Sequence, residues 1–176
     1  MSVIQTFPDL IFSGKNYDFD HLKPQTHTLE GQGNNGKDIL IRLSFESHVF
    51  SRTPLSGERS SFRDRRGQER VFCVDRYDRS LVLDNLCADM ILQNFLTWES
   101  KDRNSKSNLA VVRSRLITGL NYAIFYYLFP SRSNSYDVEI VIKSAYEKYI
   151  DFSHIKRRNK TTQLIKKCYF QQKTIP

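Results

Sequence analysis

An α+β domain is what this sequence predicts: a mostly antiparallel β-sheet with one main helix packed on one face. Three observations carry that expectation. Asp38 to Glu46 alternates strictly, with Ile39, Ile41, Leu43 and Phe45 on one face and Leu40, Arg42, Ser44 and Glu46 on the other. That is the period-two signature of a half-buried strand. From Ser80 to Thr97, the residues Leu83, Leu86, Cys87, Met90, Ile91 and Phe95 recur at three- and four-residue spacing, which makes one apolar helical stripe. After a break come three more β-like segments, Leu109 to Arg113, Asn121 to Phe129 and Tyr136 to Tyr146. The expected order is β-β-(β)-α-β-β-β.

The first two dozen residues, with Pro8, Gly14 and Pro24, read as irregular or weakly paired. Thr26 to Gly31 is a short strand, and Gly31-Gln32-Gly33-Asn34-Asn35-Gly36 supplies residues suited to a hairpin connection. Continued alternation past Glu46 places His48 and Phe50 on the more exposed face, with His48 pointing away from the core. Ser51 to Glu69 holds Pro54, Gly57, Gly67, several serines and a run of arginines, and is expected to be a basic, mobile loop. Val71 to Val74 is a short strand. Asp78 or Ser80 can cap the helix that follows by accepting one of its free amides, and Trp98 closes that element as a packing residue. Lys101 to Asn108 is polar and reads as a loop. The aromatic segment Tyr122, Phe125, Tyr126, Tyr127 and Phe129 suggests a central strand, and Pro130 to Ser135 closes a hairpin onto Val138, Ile140 and Ile142. Residues 1–153 form the expected domain, and 154–176 a basic C-terminal tail.

A chain of 176 residues with 39% apolar content and mean hydropathy of −0.52 suits a soluble protein with a real core. No apolar run approaches the ~20 residues a membrane span needs, and Met1-Ser2-Val3-Ile4-Gln5 shows no secretory pattern. Cys73, Cys87 and Cys168 are widely separated, without a CxxC pair. They read as free thiols in a reducing compartment, the cytoplasm, and offer neither a disulfide framework nor a zinc site. No two histidines have metal-ligand spacing, so neither a metal nor another cofactor is expected. The net charge of +8 favours polyanionic partners.

Eight arginines lie between Arg52 and Arg79, against the acidic residues Glu58, Asp64, Glu69, Asp75 and Asp78. Within them, Arg70 and Arg76, with Arg79, flank the expected helix entrance, where free amides and a guanidinium fork suit phosphate. The alternative is local pairing of Arg76 and Arg79 with Asp75 and Asp78, an exposed cluster of little energetic weight. His48 is the one histidine in strongly patterned sequence, and imidazole is the usual proton-transfer group near neutral pH. A histidine that only caps a strand is the competing reading. Tyr77 and Tyr146 are candidates to position a substrate, or simply to pack their rings. The candidate catalytic set is therefore His48, Arg70, Arg76, Tyr77 and Tyr146. Candidate nucleic-acid contacts are Arg63, Arg65 and Arg66 in the loop and Lys156, Arg157 and Arg158 in the tail. GxSxG, Walker, HExxH and dinucleotide-binding glycine patterns are absent from the sequence.

The succession Ser47-His48-Val49-Phe50, Arg70-Val71-Phe72-Cys73, Arg76-Tyr77-Asp78-Arg79-Ser80-Leu81 and Ser144-Ala145-Tyr146 resembles a pattern in small uncharacterised bacterial and prophage-type proteins. At the level of class, a helix followed by a curved antiparallel sheet bearing basic, histidine and tyrosine residues is similar to barnase-like and RelE-like ribonuclease toxins. Neither family's catalytic set is copied here, so the comparison is an analogy. It implies a small, metal-independent RNA-binding or RNA-cleaving protein of toxin or phage-defence type. The alternative is a non-catalytic interaction module that binds nucleic acid, or an acidic protein such as a cognate antitoxin, through the basic loop and tail. RNA is favoured over DNA, no membrane is expected as a partner, and the aromatic strand leaves a homodimer possible.

Overall fold

The computed structural model describes residues 6–101, 107–112 and 116–176. The leader-free reading of Met1 to Gln5, most of the loop expected at 101–108 and Arg113 lie outside the described residues. In chain order, β1 (Leu10–Phe12) and β2 (Lys15–Tyr17) form a small hairpin, followed by β3 (Gln25–Leu29) and β4 (Ile39–Phe45). Next come β5 (Ser51–Arg52), β6 (Phe62–Arg63), β7 (Glu69–Phe72), α1 (Val74–Ser80) and α2 (Leu83–Leu92). The chain continues through β8 (Leu96–Lys101), β9 (Ser107–Val112), β10 (Gly119–Pro130), β11 (Val138–Ile150), β12 (Asn159–Lys160) and α3 (Thr161–Gln171).

The main sheet has seven strands in the order β12-β8-β9-β10-β11-β4-β3. Every adjacent pair is antiparallel except β4 with β11, which run parallel with Ile41 opposite Val138 and Phe45 opposite Ile142. The α+β class and the mostly antiparallel sheet therefore hold. Alternation along the strands divides two cores. Ile39, Ile41, Leu43 and Phe45 of β4 join Ile124, Tyr126 and Leu128 of β10 beneath α2 and α3. Ala123 and Phe125 of β10 point the other way, toward Trp98, Ile150 and Phe152.

Four expectations are corrected. The strand through His48 stops at Phe45, and Ser47–Val49 is a 3-10 turn. Phe50, expected on the exposed face, is therefore buried at 3% exposure, because the turn breaks the period of two. The single helix from Ser80 to Thr97 is instead α1 and α2, parted at Val82, which has φ −105° and ψ 2°. Helix α2 ends at Leu92, and Asn94, with φ of 54°, turns the chain into β8, so Trp98 belongs to a strand. The loop 51–69 contains β5 and β6, which pair on either side of β7. The tail 154–176 contains β12 and α3, whose Thr161, Leu164, Ile165 and Cys168 are buried at helical spacing. Lysines at the intervening positions hide that stripe in the composition. Ile175 then exchanges both backbone hydrogen bonds with Leu128 of β10, at 2.8 and 3.0 Å.

Candidate functional site

Glu46 leaves β4 but stays beside the sheet, because its amide donates to the Ile142 carbonyl of β11 at 2.8 Å. The 3-10 turn that follows presents His48, and the Ser51 hydroxyl closes it by donating to the Ser47 carbonyl at 2.6 Å. The turn between β6 and β7 comes over from the other side. Gly67, at φ 74°, supplies the left-handed residue that this tight turn requires. One oxygen of Asp64 accepts the Arg66 and Gln68 amides, each at 2.9 Å, an Asx-type closure typical of aspartate. Its other oxygen lies 3.6 Å from His48 Nε2, an ion-pair distance too long for a hydrogen bond. Arg66 Nη2 donates to Glu46 Oε1 at 2.9 Å, and the Tyr127 hydroxyl donates to the same oxygen at 3.2 Å.

These groups line a cavity of about 410 Å³, within the size range of small-ligand sites. Glu46, His48, Asp64, Arg65, Arg66 and Tyr127 form its polar side. Phe7, Phe19, Phe50 and Phe62 are its aromatic lining, Phe7 coming from the segment before β1. Burial, then the Arg70 cation, push the His48 pKa down to about 4 against the opposing pull of Asp64. The ring is therefore neutral at pH 7. Burial first, and the Glu46 carboxylate second, push the Tyr127 hydroxyl up to about 12, so it keeps its proton.

The family model that matches this chain is that of the YjaZ family, and it spans residues 9–172. The chain belongs to the YjaZ family. No curated protein matches it, and no solved structure does. The YjaZ span takes in every polar cavity residue named above and leaves Phe7 outside. Among the described residues of this YjaZ-family chain, no three His, Cys, Asp or Glu side chains gather as a metal-binding group. No described helix is long and apolar enough to cross a membrane.

Of the residues singled out in the sequence, His48, Arg63, Arg65 and Arg66 reach the cavity. Arg70 lies behind it, 3% exposed, bonded through its guanidinium to the Ser51 hydroxyl and carbonyl and to the Thr53 hydroxyl. Arg76 donates to the carbonyls of His48 at 3.1 Å and Ser51 at 2.7 Å. Its guanidinium sits 5.2 Å from the Tyr146 ring centre, and that ring stacks on Phe125 at 5.0 Å. Arg76 and Tyr146 thus brace the backbone that carries His48. Tyr77 is elsewhere: it packs among Tyr17, Phe19 and Phe72 and donates its hydroxyl to the Asp18 carbonyl at 2.9 Å. Arg70 lies on β7 and Arg79 in the last turn of α1; Arg76 alone stands in the first turn of a helix, and its guanidinium is taken up by carbonyls. Arg79 pairs with Glu147 at 2.8 Å. Lys156, Arg157 and Arg158 are exposed next to β12, at the sheet edge remote from β4.

Glu46, Asp64, Tyr127 and Phe7 are cavity residues that the sequence reading passed over. Asp64 had a local signal, since Asp-Arg-Arg-Gly is a turn pattern. Tyr127 had one as well, two residues along β10 from Phe125. Nothing local marks Glu46 or Phe7, because their partners are distant in the chain.

One constellation is catalytic in appearance only. His21 Nε2 lies 2.8 Å from Ser80 Oγ, but the hydroxyl is fully buried and donates to the Tyr77 carbonyl at 2.7 Å. It ties the segment before β3 to α1 and offers no reachable nucleophile.

Proposed function

We propose that this protein binds RNA in the His48 cavity and cleaves it, as a small ribonuclease of toxin or phage-defence type. One observation carries the reading: a neutral imidazole faces the same cavity as a cation, a tyrosyl hydroxyl and an aromatic wall, in a protein of net charge +8. His48 serves as the base. It takes the proton of a ribose 2′-hydroxyl, whose oxygen bonds to the adjacent phosphorus. The bond from phosphorus to the departing 5′-oxygen breaks, that oxygen takes a proton from water, and the hydroxide left behind takes back the proton held by His48. Arg65, which has no ion-pair partner among the described residues, meets the charge gathering on the phosphate. The Tyr127 hydroxyl donates its proton to Glu46 Oε1 and holds that carboxylate in place. The ribose provides the nucleophile, so the chemistry asks only for proton transfer and electrostatics.

Incubating purified protein with total RNA in EDTA tests this directly. Cleavage is expected, and His48→Ala should slow it by about 10²- to 10⁴-fold, the usual contribution of a positioned general base. RNA left intact by the wild type overturns the catalytic reading.

A non-catalytic module is the second reading, favoured by a different observation. Arg63, Arg65, Lys156, Arg157 and Arg158 are all solvent-exposed in two separate places, as a surface for a polyanion or an acidic protein such as an antitoxin would be. Binding that weakens steeply with salt, without cleavage, is its signature for nucleic acid.

A further inference from the structure

The cavity has two chemically different sides, and the aromatic one plays no part in proton transfer. Phe7 meets Phe50 at 4.9 Å with an interplanar angle of 81°, and Phe19 at 5.9 Å and 63°. Phe50 meets Phe62 at 5.8 Å and 31°. Phe50 also packs on Phe19 at 4.3 Å and 40°, and both rings are buried, so the ring surface open to the cavity is that of the half-buried Phe7 and Phe62. Tyr146 is the contrast, its ring already engaged by Phe125 and Arg76.

Resting on the reading of the cavity as an RNA site, we infer that the substrate is single-stranded RNA, held by one unpaired base against the exposed ring surface of Phe7 and Phe62. A volume of about 410 Å³ suits one nucleotide and not a base pair. The β6–β7 turn bearing Asp64 and Arg66 and the segment bearing Phe7 both line the cavity. A nucleotide can bring its phosphodiester to His48 only by leaving its stack, as enzymes acting on single bases require. Duplex RNA buries its bases and offers a major groove too deep and narrow to read. Aromatic faces accept any base, so the wall selects for unpaired nucleotides over a particular letter. Phe7 is a specificity-determining residue in this arrangement, since it reaches the wall from outside the secondary structure.

The test uses a 20-nucleotide RNA of mixed sequence, labelled at its 5′ end, alone and annealed to its complement, with the full-length protein. The single strand should be cut at least about tenfold faster than the duplex. Phe7→Ala should raise KM for the single strand by roughly 5- to 150-fold, the range of one lost base stack, with little change in kcat. Phe7→Tyr should restore it. Melting curves accompany each variant, and a Phe7→Ala protein that does not fold is replaced by Phe62→Ala. Equal cutting of the single strand and the duplex, or an unchanged KM in the alanine variant, overturns this inference and leaves RNA cleavage standing. Failure to cut either RNA overturns the ribonuclease reading and this inference with it.

Discussion

One oxygen of the Asp64 carboxylate lies 3.6 Å from His48 Nε2, while the other is fixed by two backbone amides of its own turn. The carboxylate is therefore placed by the β6–β7 hairpin, and its negative charge is the principal force raising the His48 pKa against burial and Arg70. Asp64→Asn keeps an oxygen for the amides and removes the charge. The His48 ring should then titrate below its present value of about 4 in an NMR pH series. A midpoint that stays put or rises would show that the two are not coupled.

The depressed His48 pKa makes stability depend on pH. Its value is near 6.5 when unfolded and about 4 when folded, so the unfolded chain takes up the proton first. The contribution is complete above about pH 6.5 and is lost as pH falls toward 4, by an amount on the order of 3 kcal/mol. Urea midpoints at pH 7 and pH 4.5 measure it. His48→Gln should flatten the difference, leaving the smaller effect of His21 and His27, whose pKa values burial also lowers.

Arg76 and Tyr77 are neighbours in sequence with separate duties. Arg76→Ala removes two charge-assisted hydrogen bonds to carbonyls under His48 and should destabilise by about 2–4 kcal/mol while displacing the His48 backbone. Tyr77→Phe removes one hydroxyl bond to Asp18 and should cost only about 1 kcal/mol. The His48 NMR signal distinguishes them: it should shift in the first variant and not in the second.

Gly33 is required by space and not by dihedral angle. A methyl group there would stand 2.9 Å from the Lys37 carbonyl, 3.1 Å from the Tyr169 hydroxyl and 3.3 Å from the Asp38 carbonyl. Gly33→Ala should cost about 1–3 kcal/mol by thermal melt. Adding Tyr169→Phe should not rescue it, because the closest obstacle is main chain.

Helix α3 is part of the core. Ile165 is fully buried, so Ile165→Ala should cost about 2–5 kcal/mol in urea unfolding. A substitution in a detached basic tail would leave the midpoint unchanged.

What the sequence made legible was periodic and local. β4 and the apolar stripe of α2 announce themselves because one face of each is buried by a whole layer. The 3-10 turn at His48 is invisible to periodicity, since it is set by the Ser51 hydroxyl and by β11 pulling Glu46 alongside. The stripe of α3 was masked by charge, as composition weighs a lysine equally wherever its side chain points. The candidate site was readable at His48 and in the arginines. Its carboxylates and Tyr127 are brought in by long-range pairing, which no local window contains.

The parallel pairing of β4 with β11 has a consequence in time. Glu46 and the Tyr127 that bonds it are 81 residues apart, and the Ile142 carbonyl that anchors Glu46 comes later still. Contacts between distant segments form slowly, and a chain emerging from the ribosome meets its early part first. A nascent chain that has reached only the end of α2 already displays His48 and nine arginines, but lacks β10 and β11. The cavity is therefore among the last features to assemble. A stalled or shortened chain carries the charge without the cavity.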